Sequence, residues 1–395
     1  MSPVKNPERS RGTEVKLSPT IAIGTRAAEL ASQGIDVISL SAGEPDFPTP
    51  ADACEAGIKA IRDGFTKYTP NNGTLELRKA IAEKLRVDNG LEYSPEEILV
   101  SCGAKQAFFN SLWAIVSPGD EVLIPQPYWV SYPDMANLIG AVPRFIETAK
   151  ENGFRLTLDV LRQAWTPKVK ALIFNSPANP TGVVYTQKEL DVLAPFLIEK
   201  QIWILSDEIY EKIVYNTEAG ASLARSPGLK NQSIVVNGFS KAYAMTGWRL
   251  GYAAGPKEVI NKASAIQSHI TTNASSISQK AAVGALKGDQ RPMAEMVREF
   301  HARRDFLVSY LSRVPNIYFP VPQGAFYLWV DVSAYLNGKI QDSIELCQYL
   351  LENYKVALVP GEAFGAPGYV RLAYAIKQAR LEEGVTRFVA GLQAL

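Results

Sequence analysis

The 395-residue chain is long enough for two or three domains and for a core that stands alone. At 47% hydrophobic and 21% charged residues it reads as globular, and a net charge of +1 leaves no electrostatic footprint for nucleic acid or an anionic membrane. Three scattered cysteines without a CxxC pair point to reduced thiols in a cytosol, two histidines cannot form an HExxH zinc site, and no apolar run is long enough to cross a bilayer.

Residues 1–16 are polar and mixed in charge, and read as a disordered lead or an arm. An amphipathic pattern over 18–32 predicts a helix, and Val37 to Leu40 predicts a strand. The strand ends in Ser41-Ala42-Gly43-Glu44-Pro45-Asp46-Phe47-Pro48, a rigid loop in which Gly43 lets backbone approach a ligand closely. A tight turn explains the same glycine equally well. Helices are predicted over 50–63 and 74–89, with the turn-rich Lys67-Tyr68-Thr69-Pro70-Asn71-Asn72-Gly73 between them.

Glu97 to Ser101 is a predicted strand that turns through Cys102-Gly103-Ala104-Lys105-Gln106 into a helix reaching Val116. A strand, a small turn and a helix start offer free backbone N–H groups to an anion. Lys105 can add a charge there, although a lone first-turn lysine is more often simply solvated. The next strand, 121–124, ends at Pro125-Gln126-Pro127-Tyr128-Trp129. An aromatic ring just past a strand end is placed to stack on a flat ligand, but Tyr128 reads better as core packing.

Lys170 to Phe174 is a strand that enters Asn175-Ser176-Pro177-Ala178-Asn179-Pro180-Thr181-Gly182, where Asn179 offers an amide and cis X-Pro bonds are expected. After a helix over 189–200, strand 202–206 ends at Asp207-Glu208-Ile209-Tyr210. Asp207 follows an apolar run, so it needs a cation or several donors, unless it caps the next turn. Strand 233–236 leads into Asn237-Gly238-Phe239-Ser240-Lys241, then Thr246-Gly247-Trp248-Arg249. A lysine in this apolar setting loses a proton more easily, which suits formation of a Schiff base. Arg249 offers a planar fork to a phosphate.

Strands alternate with helices from about 95 to 255, the mark of a parallel α/β sheet whose ligands bind at the strands' C-terminal ends. Beyond Gly255, helices are predicted over 263–272, 276–288 and 293–313, and strands over 323–330, 356–361 and 369–374. This stretch reads as a separate α+β part. Arg371 sits inside an apolar strand, where an arginine seeks a carboxylate or phosphate.

In order along the chain, Ala42 to Phe47, Lys67-Tyr68, Asn175-Ser176-Pro177 with Asn179-Pro180-Thr181-Gly182, Ser206 to Tyr210, Ser240-Lys241 through Arg249, and Val370-Arg371-Leu372 resemble the fold-type I, class I pyridoxal-phosphate aminotransferases. Nearest in form is the branch of bacterial aspartate aminotransferases typified by thermophile enzymes, some of which also act on prephenate. The resemblance runs from about Ser18 to the C-terminus. It implies an α/β fold with a large, mostly parallel sheet flanked by helices and a smaller α+β domain made by the C-terminal part and the N-terminal segment. The expected division is 1–49 arm and part of the small domain, 50–290 large domain, and 291–395 small domain.

The resemblance also implies roles for particular residues. Lys241 carries pyridoxal 5'-phosphate and moves the proton, Asp207 faces the pyridine nitrogen, and Tyr210 and Asn179 reach the ring 3-oxygen. Trp129 stacks on the ring. Gly103, Ala104, Ser240 and Arg249 take the phosphate side, with Tyr68 reaching across from the partner subunit of a homodimer. Arg371 holds the substrate α-carboxylate, Gly43 lines the substrate site, and Lys105 with Thr20 receives the distal carboxylate. One departure stands out: many relatives carry a serine three residues before the lysine, where this chain has Gly238. The implied reaction is L-aspartate plus 2-oxoglutarate to oxaloacetate plus L-glutamate, with prephenate as a second acceptor, in the cytoplasm. The competing readings are a related pyridoxal-phosphate lyase or an alanine or aromatic aminotransferase, a non-catalytic sensor of the same fold, and a nicotinamide dehydrogenase. The last lacks a GxGxxG motif.

Overall fold

The protein was analysed as a computed structural model that describes residues 19–215, 220–336 and 338–395, with side chains described from residue 23 onward. The expected N-terminal lead over 1–16 lies outside the described residues. Helix α1 (Pro19–Ser32) and strand β1 (Ile38–Ser39) open the chain, followed by α2 (Ala51–Arg62) and α3 (Leu75–Asn89). The Thr74 side chain caps α3 by accepting from the Leu77 N–H, and Gly90 ends it at a φ of 63°, where only a glycine is free of strain.

The central unit follows: β2 (Ile98–Ser101), α4 (Ala104–Ile115), β3 (Glu121–Gln126), α5 (Tyr132–Leu138), β4 (Val142–Glu147), α6 (Leu158–Ala164), β5 (Val169–Asn175), α7 (Gln187–Glu199), β6 (Trp203–Asp207), β7 (Ser233–Gly238) and β8 (Gly251–Ala254). Seven strands form one sheet in the order β2-β8-β7-β6-β5-β3-β4. Helices α8 (Lys257–Ser268) and α9 (Ser276–Lys287) complete its cover. One face packs with α4, α5 and α8, around Phe108, Leu112, Ile173 and Val236. The other packs partly with α3 and α9 and partly with α6 and α7. Strands buried on both faces explain the nearly unbroken apolar runs Ile234-Val235-Val236 and Leu172-Ile173-Phe174.

The remainder is α10 (Arg291–Leu311), β9 (Tyr327–Asp331), α11 (Ser343–Tyr354), β10 (Val356–Ala357), β11 (Val359–Pro360), β12 (Tyr369–Ala373) and α12 (Gln378–Gln393). Strands β11, β12 and β9 make a three-stranded antiparallel sheet. Strand β1 pairs in parallel with β10, which ties the N-terminal segment to this α+β part. The expected fold class is therefore the observed one.

Several local expectations need correction. The sheet is mostly parallel, as expected, and the exception is β8, which runs antiparallel to both β2 and β7. The helix expected over 263–272 begins at Lys257, because Pro256 starts it and its first turn is too polar to display an apolar stripe. It is over by Thr272, whose φ is +59°. The strand expected from Gln323 begins at Tyr327, since Ala325 adopts a φ of +57° that breaks extended structure. The run 356–361 splits at Leu358 into two short strands that join different sheets. Elements α5, β4 and α6 were not anticipated, because their sequences show neither clean alternation nor a clear apolar stripe.

Candidate active site

The C-terminal edge of the large sheet, together with β9 and β12, encloses a cavity of about 480 Å³. The reversed strand β8 explains one member of this site. Because β8 starts where its neighbours end, Arg249, two residues before it, arrives at the same edge as Lys241. Lys241, Asp207, Tyr210, Asn179, Trp129, Ala104, Lys105, Ser240, Arg249, Gly43 and Arg371 all line the cavity. They come from the C-terminal ends of five strands, the segment before β8, the middle of β12 and the loop after β1.

Gly103 stands behind the lining at the start of α4, with a φ of +88°. A Cβ there would lie 2.6 Å from Arg249 Nη2, so only glycine lets the guanidinium rest against the helix start. Gly251 is equally constrained: its added Cβ would sit 2.2 Å from the Ala104 nitrogen. Positive charge beside a helix N-terminus favours an anion. Ser240 is buried at this end. A side chain at Gly238 would crowd Gly251 Cα at 2.9 Å and Leu250 O at 3.0 Å, which is why a serine does not fit this strand pairing.

Asp207 is buried at the end of β6. Its carboxylate accepts from the Tyr132 hydroxyl at 2.8 Å and from the Ile209 N–H at 3.2 Å. Burial raises its pKa to about 6, although these donors and the Lys241 charge pull the other way. Asn175 fixes the neighbouring loop by donating to the Asp207 carbonyl at 2.9 Å and accepting from the Asn179 N–H at 2.9 Å. Ser176–Pro177 and Asn179–Pro180 are both cis in this loop.

Lys241 donates through Nζ to the Gly43 carbonyl. Burial lowers its pKa to about 8, helped by Arg371 and Arg249 and opposed by Glu44. Arg371 is 3% exposed; it donates to Asn179 Oδ1 at 3.0 Å and to the Ser41 carbonyl at 2.8 Å. Its Nε is buried with no partner. Its guanidinium lies 4.3 Å from the centre of the Tyr327 ring. Lys105 Nζ lies 4.8 Å from the centre of the Trp129 ring. Burial and the like charge of Arg249 lower its pKa.

Among the described residues, Lys105, Lys241, Arg249 and Arg371 take part in no ion pair, although Glu44 and Asp207 share the cavity. Arg303, as buried as Arg371, behaves differently and pairs with both Asp46 and Glu299. Four unpaired cations in one cavity make a receptor for a ligand with several negative groups. The buried carboxylate of Asp207, with no cation on it, seeks a positively charged N–H. A phosphorylated, nitrogen-containing aromatic ring such as pyridoxal phosphate meets both demands, and Arg371, which lines the cavity without an ion pair, leaves a cation for a substrate carboxylate.

Besides Gly103, which stands behind the lining, one expected member with a described side chain is not in the cavity of its own chain. Tyr68 is 89% exposed on the loop after α2. Thr20 lies in α1, outside the residues whose side chains are described. Tyr128 stacks on Phe145 at 5.2 Å, away from the main cavity, as its core reading expects. The structure adds Tyr132, Asn175, Glu44, Thr246 and Tyr327, which sequence reasoning missed. Asn175 alone carried a usable signal, as the first polar residue after an apolar strand.

A family model described as aminotransferase class I and II matches residues 35–388. The bifunctional aspartate aminotransferase and glutamate/aspartate-prephenate aminotransferase of Petunia hybrida is 48% identical over 392 residues, covering 97% of this chain and 82% of that one. The probable aspartate/prephenate aminotransferase of Aquifex aeolicus is 46% identical over 389 residues, covering 98% of each chain. Among solved structures, the Thermus thermophilus aspartate aminotransferase with maleate superposes with a TM-score of 0.92 at 43% identity, covering 98% of this chain and 100% of that one.

Proposed function

The chain belongs to the class I and II aminotransferases, and from that premise we propose that it transfers the amino group of L-aspartate to 2-oxoglutarate, giving oxaloacetate and L-glutamate, with prephenate as a second acceptor. Its cofactor is pyridoxal 5'-phosphate. The observation that carries the substrate reading is the set of cavity cations without ion pairs, Arg371 at one wall and Lys105 at the mouth. A dicarboxylic amino acid needs two such cations. The names of the relatives and the maleate of the Thermus structure, itself a dicarboxylate, support the same choice.

Bound in this cavity, the cofactor supplies a carbonyl for the amino group and a ring that accepts the electrons left when the α-proton departs. The protein's own residues do the rest. With its pKa drawn down to about 8, Lys241 has an appreciable neutral fraction near neutral pH, so its Nζ could take up the substrate α-proton and hold it for return. Asp207, steadied by Tyr132, would hold a proton on the ring nitrogen. Tyr210 and Asn179 would hold the ring 3-oxygen by hydrogen bonds, and Trp129 would pack against the ring. Arg249, Ser240 and the backbone of Gly103 and Ala104 receive the phosphate. Arg371 orients the α-carboxylate through its planar fork, and Lys105, with Thr20, meets the distal carboxylate.

The same reading makes the protein a homodimer in the cytoplasm. Ile61, Tyr68, Trp113 and Ile270 are large hydrophobic side chains left exposed, which supports contact with a partner and a role for Tyr68 in the partner's site. The free thiols of Cys54, Cys102 and Cys347 support a reducing compartment. Residues 50–290 form the cofactor-binding part, and 1–49 with 291–395 the smaller part; the pairing of β1 with β10 supports that division.

Initial rates of oxaloacetate formation from L-aspartate and 2-oxoglutarate test the substrate choice, with L-alanine and L-phenylalanine as competitors. A kcat/KM for aspartate at least tenfold above both is expected. A preference for either neutral amino acid would overturn the assignment of Lys105.

A further inference from the structure

Tyr327 was not anticipated from the sequence, and nothing in the proposed chemistry yet uses it. It is 1% exposed on β9, diagonally across from Arg371 on β12. Its hydroxyl lies 2.7 Å from the Tyr210 hydroxyl, and either oxygen can be the donor. No other side-chain partner of either hydroxyl exists among the described residues. The Tyr327 hydroxyl also lies 3.0 Å from where a Cβ on Gly43 would stand, and Gly43 is the residue whose carbonyl receives Lys241. Its ring carries the Arg371 guanidinium at 4.3 Å. One side chain thus touches the ring-oxygen donor, the carboxylate-binding cation and the backbone beside the lysine.

We propose that Tyr327 is a positioning residue whose hydroxyl donates to Tyr210, turning the Tyr210 proton toward the cofactor's ring oxygen, while its ring seats Arg371 for the substrate carboxylate. This rests on the cofactor reading above. A phenol has one proton. If Tyr210 gave that proton to Tyr327, it would present only lone pairs to an anionic ring oxygen, and two acceptors would face each other. The opposite order, Tyr327 to Tyr210 to ligand, satisfies all three oxygens. Burial raises the pKa of both phenols, so both keep their protons to donate. The cationic face of Arg371 against the Tyr327 ring sharpens that hydroxyl as a donor and holds the guanidinium plane.

The test uses the holoenzyme loaded with pyridoxal phosphate. Visible absorbance is followed against pH in the wild type, Tyr327→Phe, Tyr210→Phe and the double variant. The other groups facing this site, Lys241, Asp207, Tyr132, Glu44, Arg249 and Arg371, are the same in all four proteins. With a weaker hydrogen bond to the ring oxygen, the proton shared between that oxygen and the lysine nitrogen is held more tightly. Tyr327→Phe therefore raises the titration midpoint by roughly half to one pH unit. In the Tyr210→Phe background the same change adds nothing, since its route is gone. No shift in the single variant, or an equal shift in both backgrounds, would overturn the relay.

The ring has its own arm. Tyr327→Phe keeps the ring over Arg371, so KM for aspartate should stay within about twofold, whereas Tyr327→Leu should raise it about fivefold or more. Equal KM values for the two variants would overturn the seating role. Folding is held in check by the Phe variants, which keep the buried ring. A wild-type protein with no visible band after incubation with pyridoxal phosphate would instead overturn the cofactor reading, and the relay with it.

Discussion

The turn Asp207-Glu208-Ile209-Tyr210-Glu211 has two sides, and they are built on opposite plans. Behind the sheet, Glu211 is joined to the Lys84 ammonium and accepts from Asn89 Nδ2 at 2.6 Å. Glu208 beside it takes hydroxyl protons from Ser206 at 2.8 Å and Ser222 at 2.6 Å. On the cavity side, Asp207 and the cations Lys241 and Arg371 share one space but form no ion pair. The back is complete in itself and holds the turn at a fixed height. The front is held open, with charges that only a ligand can satisfy. Buried charge alone therefore does not mark a site; cations that line a cavity without an ion pair do.

The comparison can be broken at several points. The largest expected effect comes from the front: Lys241→Ala removes the proton carrier, and kcat should fall at least about 10⁴-fold in a coupled oxaloacetate assay. Next is the back. Lys84→Met leaves Glu211 as an uncompensated buried charge and should lower unfolding stability by about 3–5 kcal/mol in denaturant titration. If it lowered kcat with no loss of stability, the back would belong to the chemistry rather than to the scaffold. Asp207→Ala should reverse that pattern, with kcat down about 10²–10³-fold and stability nearly unchanged, since relieving a buried carboxylate offsets the lost hydrogen bonds. Smaller again, Lys105→Ala should weaken selection of aspartate over alanine by about 1.5–3 kcal/mol, read from the ratio of kcat/KM values.

The pH dependence sharpens the same contrast. Lys241 has a folded-state pKa of about 8, below its ordinary value of 10.5. Its neutral amine is scarce below pH 8 and predominant above it. Uptake of pyridoxal phosphate by the cofactor-free protein, followed as growth of visible absorbance, should thus rise about tenfold per pH unit up to about 8 and then level off. For stability, the unfolded chain binds more protons than the folded one between pH 8 and 10.5, so this lysine's contribution rises with pH across that window. An uptake rate still climbing at pH 10 would place Lys241 in water rather than in an apolar wall.

What the sequence displayed were the residues that follow apolar strands. Asn179, Asp207 and Lys241 each stand just past a run of buried aliphatics, and Arg371 stands within one, so a periodicity argument reaches them. Hidden from it were contacts between distant segments. Tyr132 meets Asp207 across 75 residues, Tyr327 meets Tyr210 across 117, and Lys84 meets Glu211 across 127. Each of those residues sits in a local pattern typical of ordinary core or helix. Strand direction was hidden for the same reason: Gly251-Tyr252-Ala253-Ala254 reads alike in either sense, and only its antiparallel pairing explains how Arg249 reaches the cavity.

The central claim is that the unpaired charges of this cavity await pyridoxal phosphate and a dicarboxylic amino acid. It is tested most directly by the absorption spectrum of the purified protein, before and after L-aspartate is added without a keto acid. A visible band that moves into the ultraviolet on adding aspartate, and returns on adding 2-oxoglutarate, is the predicted result. A protein that stays colourless after incubation with pyridoxal phosphate, or whose band ignores aspartate but responds to a neutral amino acid, would contradict it.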